Sequence, residues 1–142
     1  MKLTKIQRSA LRKKFGGRCA YCGQLLGDKW HADHIEAVER KLERVPGVGV
    51  YRLRTTGEFH KPQNDTLANM NPACPPCNID KHSLSLESWR AIIERSNDVL
   101  SRDVSTFRRA VRYGMVQLEP KPIVFYFEQL AAEACVAQGA SC

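Results

Sequence analysis

The sequence predicts a small α+β domain, with a core pinned by cysteines, a basic helix ahead of it and a helical extension behind. Two observations carry that fold class. Cys19 and Cys22 stand at C-x2-C spacing and Cys74 and Cys77 repeat it; each short knuckle aims two sulfurs at one ion, so the two together make a tetrahedral structural zinc site. Around the knuckles, short β-type runs alternate with stretches of helical periodicity, the pattern of a mixed fold.

At 142 residues the chain has the size of one ordinary domain. The expected organisation is a basic helix over 1–18, a cysteine-bearing core over 19–85, a helical extension with a late short strand over 86–130, and a flexible tail over 131–142. No apolar run has the length of a membrane span, and the basic start lacks the apolar core of a signal peptide. The expectation is a cytoplasmic protein without a membrane partner. In such a chain paired C-x2-C motifs favour metal over disulfides. Cys135 and Cys142 fall outside the pattern and receive no role.

Taken in order, Thr4 to Gln7 has the form of a capping box, opening a helix over 4–15 that closes at Gly16 and Gly17. Lys5, Arg8 and Arg12 share one stripe of it, with Ile6, Ala10 and Phe15 available to pack inward. Gly23 lets the chain turn tightly after the second sulfur. A short strand is expected over 30–38, a charged segment over 39–44, turn chemistry over 46–49, a half-buried strand over 50–54, a turn at 56–58 and a loop over 61–65. After Cys77 a helix begins, placing Asn78, Lys81 and His82 on one face. Helical patterns follow over 86–100 and 103–113, with Trp89 and Phe107 read as core aromatics, and Ile123 to Phe127 reads as a late strand. Beyond Ala131 the small residues suggest a frayed helix or disorder.

The net charge of +7 points to an anionic partner. The first 18 residues hold seven Lys and Arg and no acid, a phosphate-facing patch in which Lys5, Arg8, Arg12 and Arg18 are the candidate contacts, joined by Arg52 and Arg54 of the second strand. Phosphate contacts position a protein on DNA without reading its sequence.

Hydrolysis of a phosphodiester needs a base for water and a hard cation with oxygen ligands. Asp33 offers a carboxylate and Asn78 a carbonyl, donors suited to Mg2+ or Mn2+, whereas the four sulfurs are soft and suit zinc. His34, neutral near pH 7, is the natural general base. Successive strand residues point to opposite faces, so Asp33 and His34 converge on one phosphate only at a distorted strand end. His31 and His60 hold no motif position and are read as surface or loop residues.

The order of a Cys pair, Asp33-His34-Ile35, Asn69 and a second Cys pair followed by Asn78 and Lys81 resembles the HNH endonuclease family in its zinc-stabilised form. The likeness runs from Cys19 to His82, with lesser similarity to small phage and prophage members of that family. It implies a ββα-metal, treble-clef-like core, His34 as general base and Asp33 as ligand of the catalytic ion. Asn69 matches the central Asn that shapes the loop and orients the base. Asn78 stands where many members have the last His, as in the HNN variant, and would ligate the same ion, with His82 as auxiliary ligand or phosphate contact. Lys81 matches a basic position that holds a phosphate. DNA is the implied substrate, and phage packaging or recombination proteins are the implied partners. Met70 stands where Leu is common, and the insert between Asp33 and Asn69 is long. The alternative is a zinc-knuckle DNA-binding protein without catalysis; action on RNA or branched DNA stays open.

Overall fold

Thr4 opens the first helix as the capping box requires: its hydroxyl accepts from the Gln7 N–H at 3.2 Å and the Gln7 side chain accepts from the Thr4 N–H at 3.0 Å. In this computed structural model, which describes residues 1–47, 49–137 and 139, α1 spans Lys5–Lys13. It is shorter than the periodicity suggests and rotated against expectation. Leu11 is its buried residue, while Ile6 is 82% exposed and Ala10 also faces outward.

Four strands follow: β1 at His31–His34, β2 at Arg40–Pro46, β3 at Tyr51–Phe59 and β4 at Met70–Ala73. β1 pairs with β4 in regular antiparallel register, from His31 opposite Ala73 to His34 opposite Met70, and β2 pairs with β3 as a separate antiparallel ribbon. The expected strand over 30–38 thus ends at His34, and the expected turn at 56–58 is absorbed into β3 as an irregularity with Gly57 at φ +85°. β2 takes the segment that charge alone left unassigned. Its residues alternate between exposed and half-buried, the period of a strand.

α2, Pro75–Lys81, begins before Cys77, earlier than the sequence suggests. Cys74 is its N-cap and Pro75 fills the first turn, where no backbone N–H is needed. Asn78 therefore sits inside the helix. The chain between β1 and β4 is long, but the order of packed elements is strand, strand, helix, with α2 against β1.

The helical extension divides more finely than expected. α3 runs Leu86–Glu94, α4 Ser96–Asp103 and α5 Ser105–Arg112, with Arg95 at φ −81°, ψ 0° ending α3. Trp89 is buried as expected, but Phe107 is only half-buried and stands outside the main core. No late strand forms at Ile123–Phe127. Phe125 stacks on Trp89 at 5.0 Å and meets the Tyr21 ring edge-on at 5.6 Å, while the N–H groups of Tyr126 and Phe127 donate to Tyr21 and Ala20 carbonyls at 3.0 and 2.8 Å. The first knuckle takes the hydrogen bonds that a sheet edge would have taken. From Tyr126 the chain turns into α6, Tyr126–Ala137, so helix occupies much of the expected tail; Cys142 lies outside the described residues.

Arg90 clamps this arrangement. Its guanidinium lies over the Phe125 ring at 4.5 Å and meets Glu128 at 2.6 Å. The core gathers Leu11 of α1, Cys19, Tyr21, Leu26 and Trp30 of the first knuckle region, Met70 and Ala73 of β4, Trp89 of α3 and Phe125. Among the described residues, the stretches 35–69, which include the β2–β3 ribbon, and 94–122, which include α4 and α5, add nothing to it.

Candidate metal centre and adjoining cavity

The first knuckle folds by bonding its own backbone: the Cys19 N–H donates to the Gln24 carbonyl at 2.8 Å, and the Gly23 N–H returns to Cys19 at 3.0 Å. Gly23 sits at φ +72°, and a Cβ there would come within 3.1 Å of the Tyr126 ring, so glycine is required twice over. The Ala20 N–H donates to Pro72 of β4 at 2.8 Å, carrying this knuckle to the second.

Cys19, Cys22, Cys74 and Cys77 place all four sulfurs within 4.8 Å of one another, with Cys22 Sγ and Cys74 Sγ 3.8 Å apart. Sulfurs bound tetrahedrally at about 2.3 Å from zinc stand about 3.8 Å from each other. The residues fit the ion. The Cys74 N–H also donates to Cys19 Sγ at 3.4 Å, a bond that favours thiolate. Hydrogen bonding from Cys77, against burial, pushes the Cys19 thiol down to about 4, whereas the Cys77 and Cys22 thiols are pushed up. Crowded thiolates repel, and a dication is what lets all four ionise.

Beside the sulfur site, Asp33, His34, Asn78 and His82 line one cavity of about 750 Å³, together with Arg40 and Leu42 of β2. β1 supplies the first two and α2 with its C-cap the others. Alternation along β1 sends Asp33 inward and His34 the other way, without any bulge in the β1–β4 register, yet both border this cavity. Asp33 is 8% exposed; its Oδ2 accepts from the Tyr21 hydroxyl and from Lys81 Nζ at 3.1 Å, and its Oδ1 bonds nothing among the described residues. Burial, then the adjacent Asp33 carboxylate, pushes the Tyr21 phenol up, so it stays a donor.

His34 Nε2 lies 3.0 Å from Asp65 Oδ1. A carboxylate only accepts, so Nε2 carries the proton and Nδ1 the lone pair. Burial pushes the imidazole below the ordinary histidine value, opposed by Asp33 and assisted by the Met1 ammonium and Lys81. The Met1 ammonium also pairs with the other Asp65 oxygen, offsetting the charge that would otherwise favour imidazolium. His34 is neutral at pH 7.

Asn69 knits the loop after His34: its Oδ1 accepts from the Glu36 N–H at 3.0 Å, its Nδ2 donates to Glu36 and Asn64 carbonyls at 2.8 Å each, and its own carbonyl accepts from the Ile35 N–H at 2.9 Å. His82, exposed, is held at φ +50°, ψ −127°, an uncommon backbone for a residue with a Cβ, and its Nδ1 meets Ser83 Oγ at 3.0 Å. No family model, curated protein or solved structure matches the chain. Function has to be read from the side chains themselves.

Several expected contacts lie elsewhere. Lys81 is fully buried, with Nζ on Asp33 and, at 2.7 Å, on the His34 carbonyl, so it braces β1 and cannot reach a phosphate. Arg8 stacks over Trp30 at 4.1 Å and donates to its carbonyl, Arg12 donates to the Leu26 and Gly27 carbonyls, and Arg18 to that of Gly23. Charges at helical spacing fasten α1 to the first knuckle here, instead of forming an open stripe; Lys5 alone of the four extends from the surface without a bonded partner among the described residues. Arg54 pairs with Glu43 at 2.6 Å, and Arg52 shares its face of the ribbon. His31 and His60 are exposed, as expected. Tyr21 and Asp65 are the residues that motif spacing missed. The first looked like a spacer between sulfurs and the second like loop, and only the closed fold brings them to β1.

Proposed function

We propose that the chain is a zinc-stapled, metal-dependent endonuclease of the HNH kind, hydrolysing phosphodiester bonds in DNA. The observation that supports it most is the convergence of Asp33, His34, Asn78 and His82 on one cavity from two segments separated by more than forty residues. The strand, strand, helix order of β1, β4 and α2 supports the ββα-metal reading of the core.

Asp33 and Asn78 offer the oxygen donors that would hold Mg2+ or Mn2+, with His82 as auxiliary ligand, and an ion there would neutralise charge on the phosphate. His34 takes a proton from water at its lone-pair nitrogen, and Asp65 holds the ring against rotation while it does so. Asn69 keeps the following loop in place. Lys81 and Tyr21 both hold the Asp33 carboxylate by Oδ2 and leave Oδ1 without a partner among the described residues, the preorganisation that a reacting site needs.

A zinc-knuckle DNA binder without catalysis is the second reading, favoured by the two bonds that already occupy Asp33 Oδ2. Supercoiled plasmid incubated with zinc-loaded protein and Mg2+ or Mn2+ separates the two. The nuclease reading expects nicking that falls a hundredfold or more in His34→Ala, the usual range for a lost general base, with the melting curve retained. Equal nicking by both proteins removes His34 from the mechanism, and binding without nicking by either leaves the binder.

A further inference from the structure

The β2–β3 ribbon projects from the body, its strands packing chiefly on each other. Leu42 and Leu53 are 56% and 60% exposed, an arrangement with no value for the core. Register sorts its side chains into two unlike faces. One carries both signs: Glu43 stands opposite Arg54 and bonds it, Lys41 bonds Glu58 at 3.0 Å, and Arg52, opposite Val45, is its one cation without an acidic partner among the described residues. The other sets Arg40, Leu42 and Arg44 of β2 opposite Phe59, Thr55 and Leu53 of β3. That second face holds two guanidiniums and no carboxylate, and neither arginine has an acidic partner among the described residues.

The second face also continues into the site, because Arg40 and Leu42 line the cavity that holds Asp33 and His34. Whatever lies along the ribbon is led to the candidate base. A nine-residue strand extends about 30 Å at about 3.3 Å per residue, and a two-stranded ribbon is narrow enough for the major groove of duplex DNA, about 12 Å wide. Guanidiniums meet phosphates while the leucines meet sugars or thymine methyls. A second copy of the chain is the poorer occupant, since mating two such faces would bring four guanidiniums together with no carboxylate between them.

We infer that the Arg40, Leu42, Arg44 and Leu53 face of the ribbon seats the DNA duplex whose backbone enters the cavity. This rests on the nuclease reading and names its substrate-guiding surface. It reassigns the ribbon's phosphate contacts from Arg52 and Arg54, on the face that also carries Glu43 and Glu58, to Arg40 and Arg44.

The test compares zinc-loaded wild type, R40Q/R44Q and R52Q/R54Q, which lose the same charge, by fluorescence anisotropy with a labelled DNA duplex over a salt series without divalent ion; plasmid nicking and melting are measured in parallel. R40Q/R44Q is expected to bind at least tenfold more weakly, with the slope of log K against log salt shallower by about 2 for two lost phosphate contacts. R52Q/R54Q should stay within twofold of wild type. If both pairs weaken binding alike, or R40Q/R44Q binds as wild type while wild type binds and nicks, the ribbon assignment is overturned and the nuclease reading survives. A wild type that neither binds nor nicks removes the nuclease reading and the ribbon proposal with it. A dimer in sedimentation that Leu53→Asp dissociates shows the face covered by a second copy, which also overturns the assignment.

Discussion

Stripping zinc from the full chain is expected to abolish its cooperative melting transition. The cysteines are built into the packing that the sulfur site organises: Cys19 is fully buried in the core, Tyr21 between the first pair carries the aromatic cluster, and β4 ends one residue before Cys74. Structural zinc contributes about 10–16 kcal/mol of apparent folding free energy in small zinc domains, comparable with the whole stability of an ordinary domain at about 5–15 kcal/mol. A core cluster of nine buried apolar residues among those described leaves little to replace it. Purified protein should carry one equivalent of zinc, and a strong chelator or Cys77→Ser should remove the sigmoidal unfolding curve in circular dichroism. A metal-free chain that still melts cooperatively at the same temperature would show that the sulfurs are incidental to the fold.

Replacing Lys81 by Met is expected to cost about 3–5 kcal/mol, the range for removing one partner of a buried ion pair. Met keeps much of the stem's volume, so the loss is of charge and not of packing. The Asp33 carboxylate would stay nearly enclosed, with the Tyr21 hydroxyl as its one remaining donor among the described residues, and the His34 carbonyl would lose the bond that braces the end of β1. For a chain of this size the melting temperature should fall by roughly 10 °C or more. Lys5→Met, on the exposed face of α1, should change stability by less than about 0.5 kcal/mol. A phosphate-binding Lys81 would behave the other way round, with stability kept and DNA affinity lost. That pattern would place the ammonium outside the protein interior.

The features legible in the sequence are those whose physics is local. C-x2-C spacing determines where two sulfurs can point, Thr4 and Gln7 satisfy each other's N–H groups across one turn, and Gly23 supplies a conformation that other residues resist. The sulfur cluster and the mixed α+β character could therefore be read before any coordinates. What could not be read depends on which partner a side chain meets across the fold. Arg8 and Arg12 repeat at the spacing of a solvent stripe, but the carbonyls of Trp30, Leu26 and Gly27 come close only when the first knuckle folds back on α1. Lys81 follows the same logic, since a lysine buried against Asp33 and a lysine held out to a phosphate occupy the same position in a motif. The apolar run from Ile123 reads as a strand by composition, yet Phe125 is a plug for the aromatic cluster, and helix geometry takes over one residue later. Asp65 carries no signal at all, because its partner His34 lies 31 positions away.

The proposed nuclease activity depends on two cations sorted by ligand hardness, zinc on sulfur and a second ion on oxygen and imidazole beside His34. Calorimetric titration of Mn2+ into zinc-loaded protein measures that division directly. The expected result is a single additional site with zinc fully retained, weakened at least tenfold by Asn78→Ala in a protein that still melts as the wild type does. Zinc-loaded protein that takes up no Mn2+ at all, or takes it up equally well without the Asn78 amide, would contradict it.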